Sequence, residues 1–100
     1  MLYSLRYFDD AREDVRKAKV RYKEQKPGLE KRFSEAIKTA ILKLHKYPFA
    51  YSVRYKNIRI IHPKTFPYGI HYYVEDTTSQ IVIIAIVHNK RHPDTFQKRV

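Results

Sequence analysis

At 100 residues the chain has the length of one small domain, with room for a single modest core and none for a second. Its 43% hydrophobic and 31% charged residues, with only 2 Gly and 5 Pro, exclude a disordered or collagen-like polymer, and the absence of cysteine excludes a disulfide framework, a zinc ribbon and a thiol nucleophile. The 21 Lys and Arg against 10 Asp and Glu give a net charge of +11, so the expected partner is a polyanion: nucleic acid, ribosome, anionic lipid or an acidic protein.

Met1 to Tyr7 alternates loosely and is short enough for a strand. Asp9 and Asp10 follow as N-cap candidates, with Glu13 and Asp14 close behind and a run of Arg and Lys after them, the charge order that complements a helix dipole. Ala11, Val15, Ala18 and Tyr22 recur at helical spacing until Lys26-Pro27-Gly28 breaks the segment. A second helix is predicted from Leu29 to Lys46, with Leu29, Phe33, Ile37 and Leu44 on one stripe and Tyr47-Pro48 as its stop. So short a linker makes the two helices an antiparallel hairpin.

From Ser52 the period changes to two. Val53 to Tyr55 and Ile58 to Ile61 flank a turn at Lys56-Asn57, Tyr68 to Glu75 alternates, Asp76 to Ser79 reads as a turn, and Gln80 to His88 is the last strand. Ile81 to Val87 is apolar at every position, which calls for cover on both faces. The expected fold is α+β: a two-layer domain spanning residues 1–100, its N-terminal strand and helical hairpin packed on a mainly antiparallel β-sheet. One sheet face is left open by that arrangement, to be covered by the basic tail Asn89 to Val100 or by a partner protein.

Ile81 to Val87 is also the longest apolar run, far short of the roughly 18 residues that cross a bilayer, and Met1 to Phe8 has no signal-peptide core. A cytoplasmic protein without membrane contact is expected. Charge is uneven along the chain, since no acidic residue occurs between Glu35 and Glu75 while Lys38, Lys43, Lys46, Arg54, Lys56, Arg59 and Lys64 do. The positive field therefore belongs to the second half.

Three residues of that half are candidates for chemistry. His88 ends the last strand, Arg91 lies just beyond it and Arg59 sits on a neighbouring strand; an imidazole that moves a proton and guanidinium groups that clamp a phosphate would cleave RNA without metal. The bland reading is a strand-capping histidine and two surface arginines. Lys56, Lys64, Tyr73, Lys90 and Arg91 are the candidate target-binding residues, Tyr73 as a ring for base stacking. His88 and His92 have metal-ligand spacing, but Pro93 argues against a helix and nothing completes a site, so no metal and no cofactor are expected. A glycine-rich phosphate loop, a G-x-S-x-G elbow and paired carboxylates in the basic half are all missing.

Arg59 to Tyr72 with Phe66-Pro67-Tyr68, followed by Ile83 to Val87 and His88-Asn89-Lys90-Arg91-His92-Pro93, resembles the C-terminal signature of the RelE/ParE superfamily of bacterial toxins. Asp10 to Asp14, Tyr22 and Gln25 to Leu29 leading into Phe33 are similar to the helical hairpin of its ParE-like branch. The resemblance implies the toxin of a type II toxin-antitoxin pair, held inactive by an acidic, partly disordered antitoxin and able to form a homodimer or a toxin-antitoxin hetero-oligomer. It also implies one of two targets, DNA gyrase for ParE-like toxins or mRNA in the ribosomal A site for RelE-like ones. The matching positions are Arg59, His88 and Arg91, but Phe96 stands where a catalytic tyrosine is expected, which favours gyrase. A non-toxic nucleic-acid or ribosome-binding module is the reading that charge alone supports.

Overall fold

The structure, a computed structural model, describes residues 3–100; Met1 and Leu2, placed by the sequence at the start of the first strand, lie outside the described residues. The elements are β1 (Ser4–Tyr7), α1 (Asp9–Gln25), α2 (Leu29–Lys46), β2 (Val53–Tyr55), β3 (Ile58–Ile61), β4 (Tyr68–Glu75) and β5 (Gln80–His88), with short 3₁₀ turns at 76–78, 93–95 and 97–99. α1 begins one residue earlier than a capping aspartate would allow. Phe8 is its N-cap, so Asp9 and Asp10 lie in the first turn and act on the helix dipole instead. Between the helices Gly28 adopts φ 98°, a conformation that only glycine takes without strain, and its N–H donates to Glu30 Oε1 at 2.7 Å.

Among the described residues one five-stranded sheet runs in the order β1-β5-β4-β3-β2, with β1 parallel to β5 and every other pair antiparallel. The helices cover one face. Phe33, Ile37, Ile41 and Leu44 of α2 and Ala11 and Ala18 of α1 bury against Ile61, Ile70, Tyr72, Ile81, Ile83 and Ile86. Between His71 and Tyr72 the β4–β5 register shifts, so that His71 pairs with Ala85 and Tyr72 with Ile83 and the extra residue is Ile84. This bulge lets Ile81, Ile83 and Ile86 face the helices while Val82, Ile84, Ala85 and Val87 bury on the other side.

The other side is sealed by the chain itself. Phe96, only 5% exposed, packs with Ile58, Val82, Ile84, Ala85 and Val87, and the tail beyond it crosses the sheet to the turn between β2 and β3, where Lys56 Nζ donates to the carbonyl oxygens of Gln97 at 3.3 Å and Val100 at 2.6 Å. Of the two covers the sequence allowed, the tail is the one used.

What pins the tail is Asp14, on the inner side of α1. β1 ends its pairing with β5 at Tyr7 opposite Ile83, where Phe8 N–H donates to Ile83 O, so the rest of that edge of β5 has no strand beside it. Asp14 Oδ2 accepts the N–H of Ile86 at 3.0 Å and Arg99 Nη1 donates to Ile84 O at 3.0 Å; the two side chains stand in for the missing strand. They also hold each other, Arg99 donating to Asp14 at 2.7 and 3.1 Å with both side chains almost buried, 12% and 6% exposed. Replacing Asp14 removes the acceptor of the Ile86 N–H and leaves the nearly buried Arg99 with only the longer contact to Asp10 at 3.7 Å, so Asp14→Ala is expected to cost about 3 kcal/mol in thermal or urea unfolding. Glu13→Ala, which breaks only the exposed pair to Arg16, is expected to leave the unfolding midpoint nearly unchanged; equal losses would show that the tail is not held by this clasp.

Candidate nucleic-acid or target interface

A polar cleft of about 390 Å³ opens beside Phe96, at the end of the sheet where β5 runs into the tail. Arg54 and Tyr55 of β2, His62 after β3, His71 of β4, His88 and Asn89 at the end of β5 and Arg91 of the tail line it. His88 and Arg91 thus share one site, as the sequence suggested. Arg91 Nε donates to Thr95 Oγ1 at 2.6 Å and its Nη1 approaches Asp14 at 3.5 Å, which fixes the guanidinium against the tail. His88 Nδ1 accepts the N–H of Lys90 at 3.0 Å, so its proton sits on Nε2 in the neutral form, and its ring lies edge-on to Tyr68 at 5.5 Å.

Arg59 is elsewhere. It is paired across the strands with Tyr72, on the helix-covered face, and its Nη1 donates to the carbonyl oxygens of Phe49, at 3.5 Å, and Tyr51 while the guanidinium lies 5.2 Å from the Phe49 ring centre. The expected convergence of Arg59 with His88 and Arg91 is therefore not formed: Arg59 lies opposite Tyr72 and His88 opposite Tyr68, four residues apart along β4, and the guanidinium is turned to the backbone of residues 49–51. Lys56 is engaged by the tail. Lys64 lies in a separate cleft with Lys43 and Arg32, Lys90 is exposed, and Tyr73 packs on the tail side of the sheet with its hydroxyl 3.4 Å from Arg6.

The sequence offers Tyr55 as a ring for base stacking and does not pair it with His71. Tyr55 Oη donates to His71 Nδ1 at 3.0 Å, and the other side of the imidazole meets the Phe96 ring edge-to-face at 4.7 Å. Burial pushes the His71 pKa down to about 4, with His62, Arg99 and Arg54 adding to the effect, and burial pushes the Tyr55 phenol up to about 12. Both groups are neutral at pH 7, so the pair is a hydrogen bond inside the floor of the cleft rather than an acid and a base. No sequence pattern marks it, because His71 sits on an alternating strand like any inward residue.

On the helix side a second depression of about 450 Å³ runs between β1, α1 and α2. Leu5, Tyr7, Val15, Ile37, Ile41 and Leu42 make it apolar, and Arg12 and Lys38 stand at its rim. Leu42 is 65% exposed there, an unusual state for a large aliphatic side chain and a mark of an interaction surface.

Residues 5–93 match the family described as ParE toxin of type II toxin-antitoxin system, parDE. The chain belongs to the ParE toxin family. Its fold is also that of solved relatives: the chromosomal ParDE system of P. aeruginosa (TM-score 0.74, 16% identity, 87% of this chain and 96% of that one), E. coli toxin RelE in the free state as a double mutant (0.71, 19%, 100% and 99%) and a RelBE toxin-antitoxin complex of Mycobacterium tuberculosis (0.62, 16%, 88% and 99%). At such identities the likeness is one of fold. No curated sequence matches the chain. Among the described residues of this ParE-family toxin no group of His, Asp and Glu side chains is placed to hold a metal ion, and no helix is long and apolar enough to cross a membrane.

The buried imidazole gives the toxin a pH signature. His71 takes up its proton near pH 6.5 when unfolded but only near pH 4 when folded, so its contribution is fully present above pH 6.5 and is lost as pH falls from 6.5 towards 4. The loss is expected to reach roughly 2–3 kcal/mol. Urea unfolding at a series of pH values should show this slope in the parent chain and not in His71→Gln, whose amide oxygen still accepts from Tyr55; an unchanged slope would mean that His71 is not the group responsible.

Proposed function

We propose that this ParE-family toxin arrests growth by interfering with DNA gyrase, and that a cognate acidic antitoxin neutralises it. The observation that carries the choice of target is the position of Arg59. Of the three residues that the sequence offers for metal-free cleavage, Arg59 serves the backbone of residues 49–51 away from His88 and Arg91, so the expected trio is incomplete. Phe96 agrees with this reading. At the position where a nuclease of the superfamily is expected to carry a tyrosine, the ring lies buried against His71 in the floor of the cleft and has no hydroxyl to offer a substrate.

The antitoxin reading rests on the helix-side groove. An acidic amphipathic helix would lay apolar residues over Leu5, Ile41 and Leu42 and set carboxylates against Arg12 and Lys38, and the excess of +11 would draw it in. This moves the unfinished surface from the open sheet face, where the sequence put it, to the other layer. One observation favours ribosome-dependent mRNA cleavage as a second reading: His62, His88, Arg54 and Arg91 line a common cleft, and two imidazoles with two guanidinium groups suffice in principle for acid-base cleavage.

Induced expression with parallel mapping of transcripts and of gyrase-DNA adducts separates the two. Covalently cleaved DNA with intact mRNA is expected; cuts at fixed codon positions would overturn the gyrase reading. His88→Ala and Arg91→Ala are expected to weaken growth arrest, with circular dichroism checking the fold because Arg91 also holds Thr95. Full toxicity of Arg91→Ala would remove it from the target surface.

A further inference from the structure

We propose that two cationic clefts meeting at His62 form one continuous track for the phosphodiester backbone of a single-stranded nucleic acid, whatever protein the toxin acts on. The first cleft, about 230 Å³, lies between α2 and the loop that joins β3 to β4. Arg32, Thr39 and Lys43 line it from the helix and Lys64 and Thr65 from the loop. The second is the cleft beside the tail, with Arg54, His88 and Arg91. His62 lines both, which makes it the joint between them.

The joint is built into the fold. A Cβ on Gly69 would lie 3.4 Å from both His62 Cε1 and Asn89 Oδ1 and 3.1 Å from Ile60 Cγ2, so the imidazole of the loop and the amide at the end of β5 pack closely over this backbone. His62 Nδ1 donates to Tyr68 O at 2.9 Å, which fixes the exposed ring at the joint and leaves Nε2 of the neutral imidazole an acceptor, suited to a base or sugar donor, while the flanking Lys and Arg meet the phosphate oxygens.

Charge selects the class of ligand. None of Arg32, Lys43, Arg54 and Lys64 takes part in an ion pair among the described residues. Glu35 is the one carboxylate lining either cleft, and it lies 4.0 Å from Lys38; Asp94 on the nearby tail faces His92 at 3.6 Å, and Asp14 takes up part of the charge of Arg91. Hydroxyls at Thr39 and Thr65 add the neutral donors that commonly accompany Lys and Arg on phosphate oxygens. Shape selects a single strand. The first cleft opens against α2 and the second on the tail side of the sheet, so the ligand must turn around the loop; a duplex, stiff over about 150 bp, cannot follow such a corner, and neither can a helical acidic peptide.

Fluorescence anisotropy with labelled (dT)15 and (rU)15 on the full chain tests the track, with DNA and RNA as separate arms. Binding should weaken steeply with salt, and Lys43→Ala/Lys64→Ala should lower the magnitude of the log-log salt slope by about 1.4, at about 0.7 for each lost phosphate contact. Arg54→Ala, on the far side of His62, should lower it by about 0.7 on the same scale. Lys17→Ala/Lys23→Ala on α1 removes equal charge outside both clefts and should leave the slope unchanged. Equal effects at α1 would overturn the proposal in favour of unspecific attraction, and an effect of Arg54→Ala without one of the Lys43/Lys64 pair would overturn the continuity of the track. Displacement by polyglutamate as effective as by oligonucleotide would overturn the nucleic acid in favour of an acidic protein. The readout is binding alone, so a failure here is distinct from a failure of the gyrase reading.

Discussion

The carboxylate of Asp14 carries two obligations that nothing else in the chain can meet. It accepts the backbone N–H of Ile86, at an edge of β5 where β1 has already ended, and it holds the guanidinium of Arg99, which in turn satisfies Ile84 O. A buried polar edge without partners would be strongly destabilising, and a buried carboxylate without its arginine more so. Helix α1, the central strand and the last residues of the chain are thereby tied at one point.

The consequences for function follow from where this tie sends the tail. Once Arg99 is docked on Asp14, the preceding Phe96 has to lie across Val82, Ile84 and Ala85, and Lys56 reaches the carbonyls of Gln97 and Val100 from the other side. The second face of the sheet is used up by the fold. What stays exposed is the apolar groove between β1 and the helices on one side, and the cationic end of the sheet on the other. The groove proposed for an acidic antitoxin and the cleft proposed for a nucleic-acid strand are thus different surfaces of a very small protein.

Beneath that cationic end the chemistry is deliberately quiet. Tyr55, His71 and Phe96 form a stack in which burial holds both polar groups neutral, so the floor of the cleft stays uncharged while Arg54 and Arg91 charge its walls. A floor without a charge of its own adds no compensation to the wall cations, of which only Arg91 meets a carboxylate, at Asp14, so the field of Arg54 stays available to a ligand.

Local signals were enough to read the element order. The helical stripe through Phe33, Ile37 and Leu44, the break at Pro27-Gly28 and the alternation of Tyr68 to Val74 each depend on residues a few positions apart, and so did the need for cover on both faces of Ile81 to Val87. The pairing of His88 with Arg91 in one cleft was legible for the same reason. The placement of Arg59 was not, since its distance from His88 along the sheet is set by its register against Tyr72, and register depends on long-range pairing that spacing does not encode. Asp14 with Arg99, and Tyr55 with His71, were likewise invisible: in the sequence they are a helix aspartate, a tail arginine and two strand residues, and only packing removes the water that makes each need the other. The sequence determined which segments become helix and strand and how strongly the chain attracts anions; the tertiary structure alone decided which side of the sheet the tail would close, because that choice rests on a buried charge pair between residues far apart in the chain.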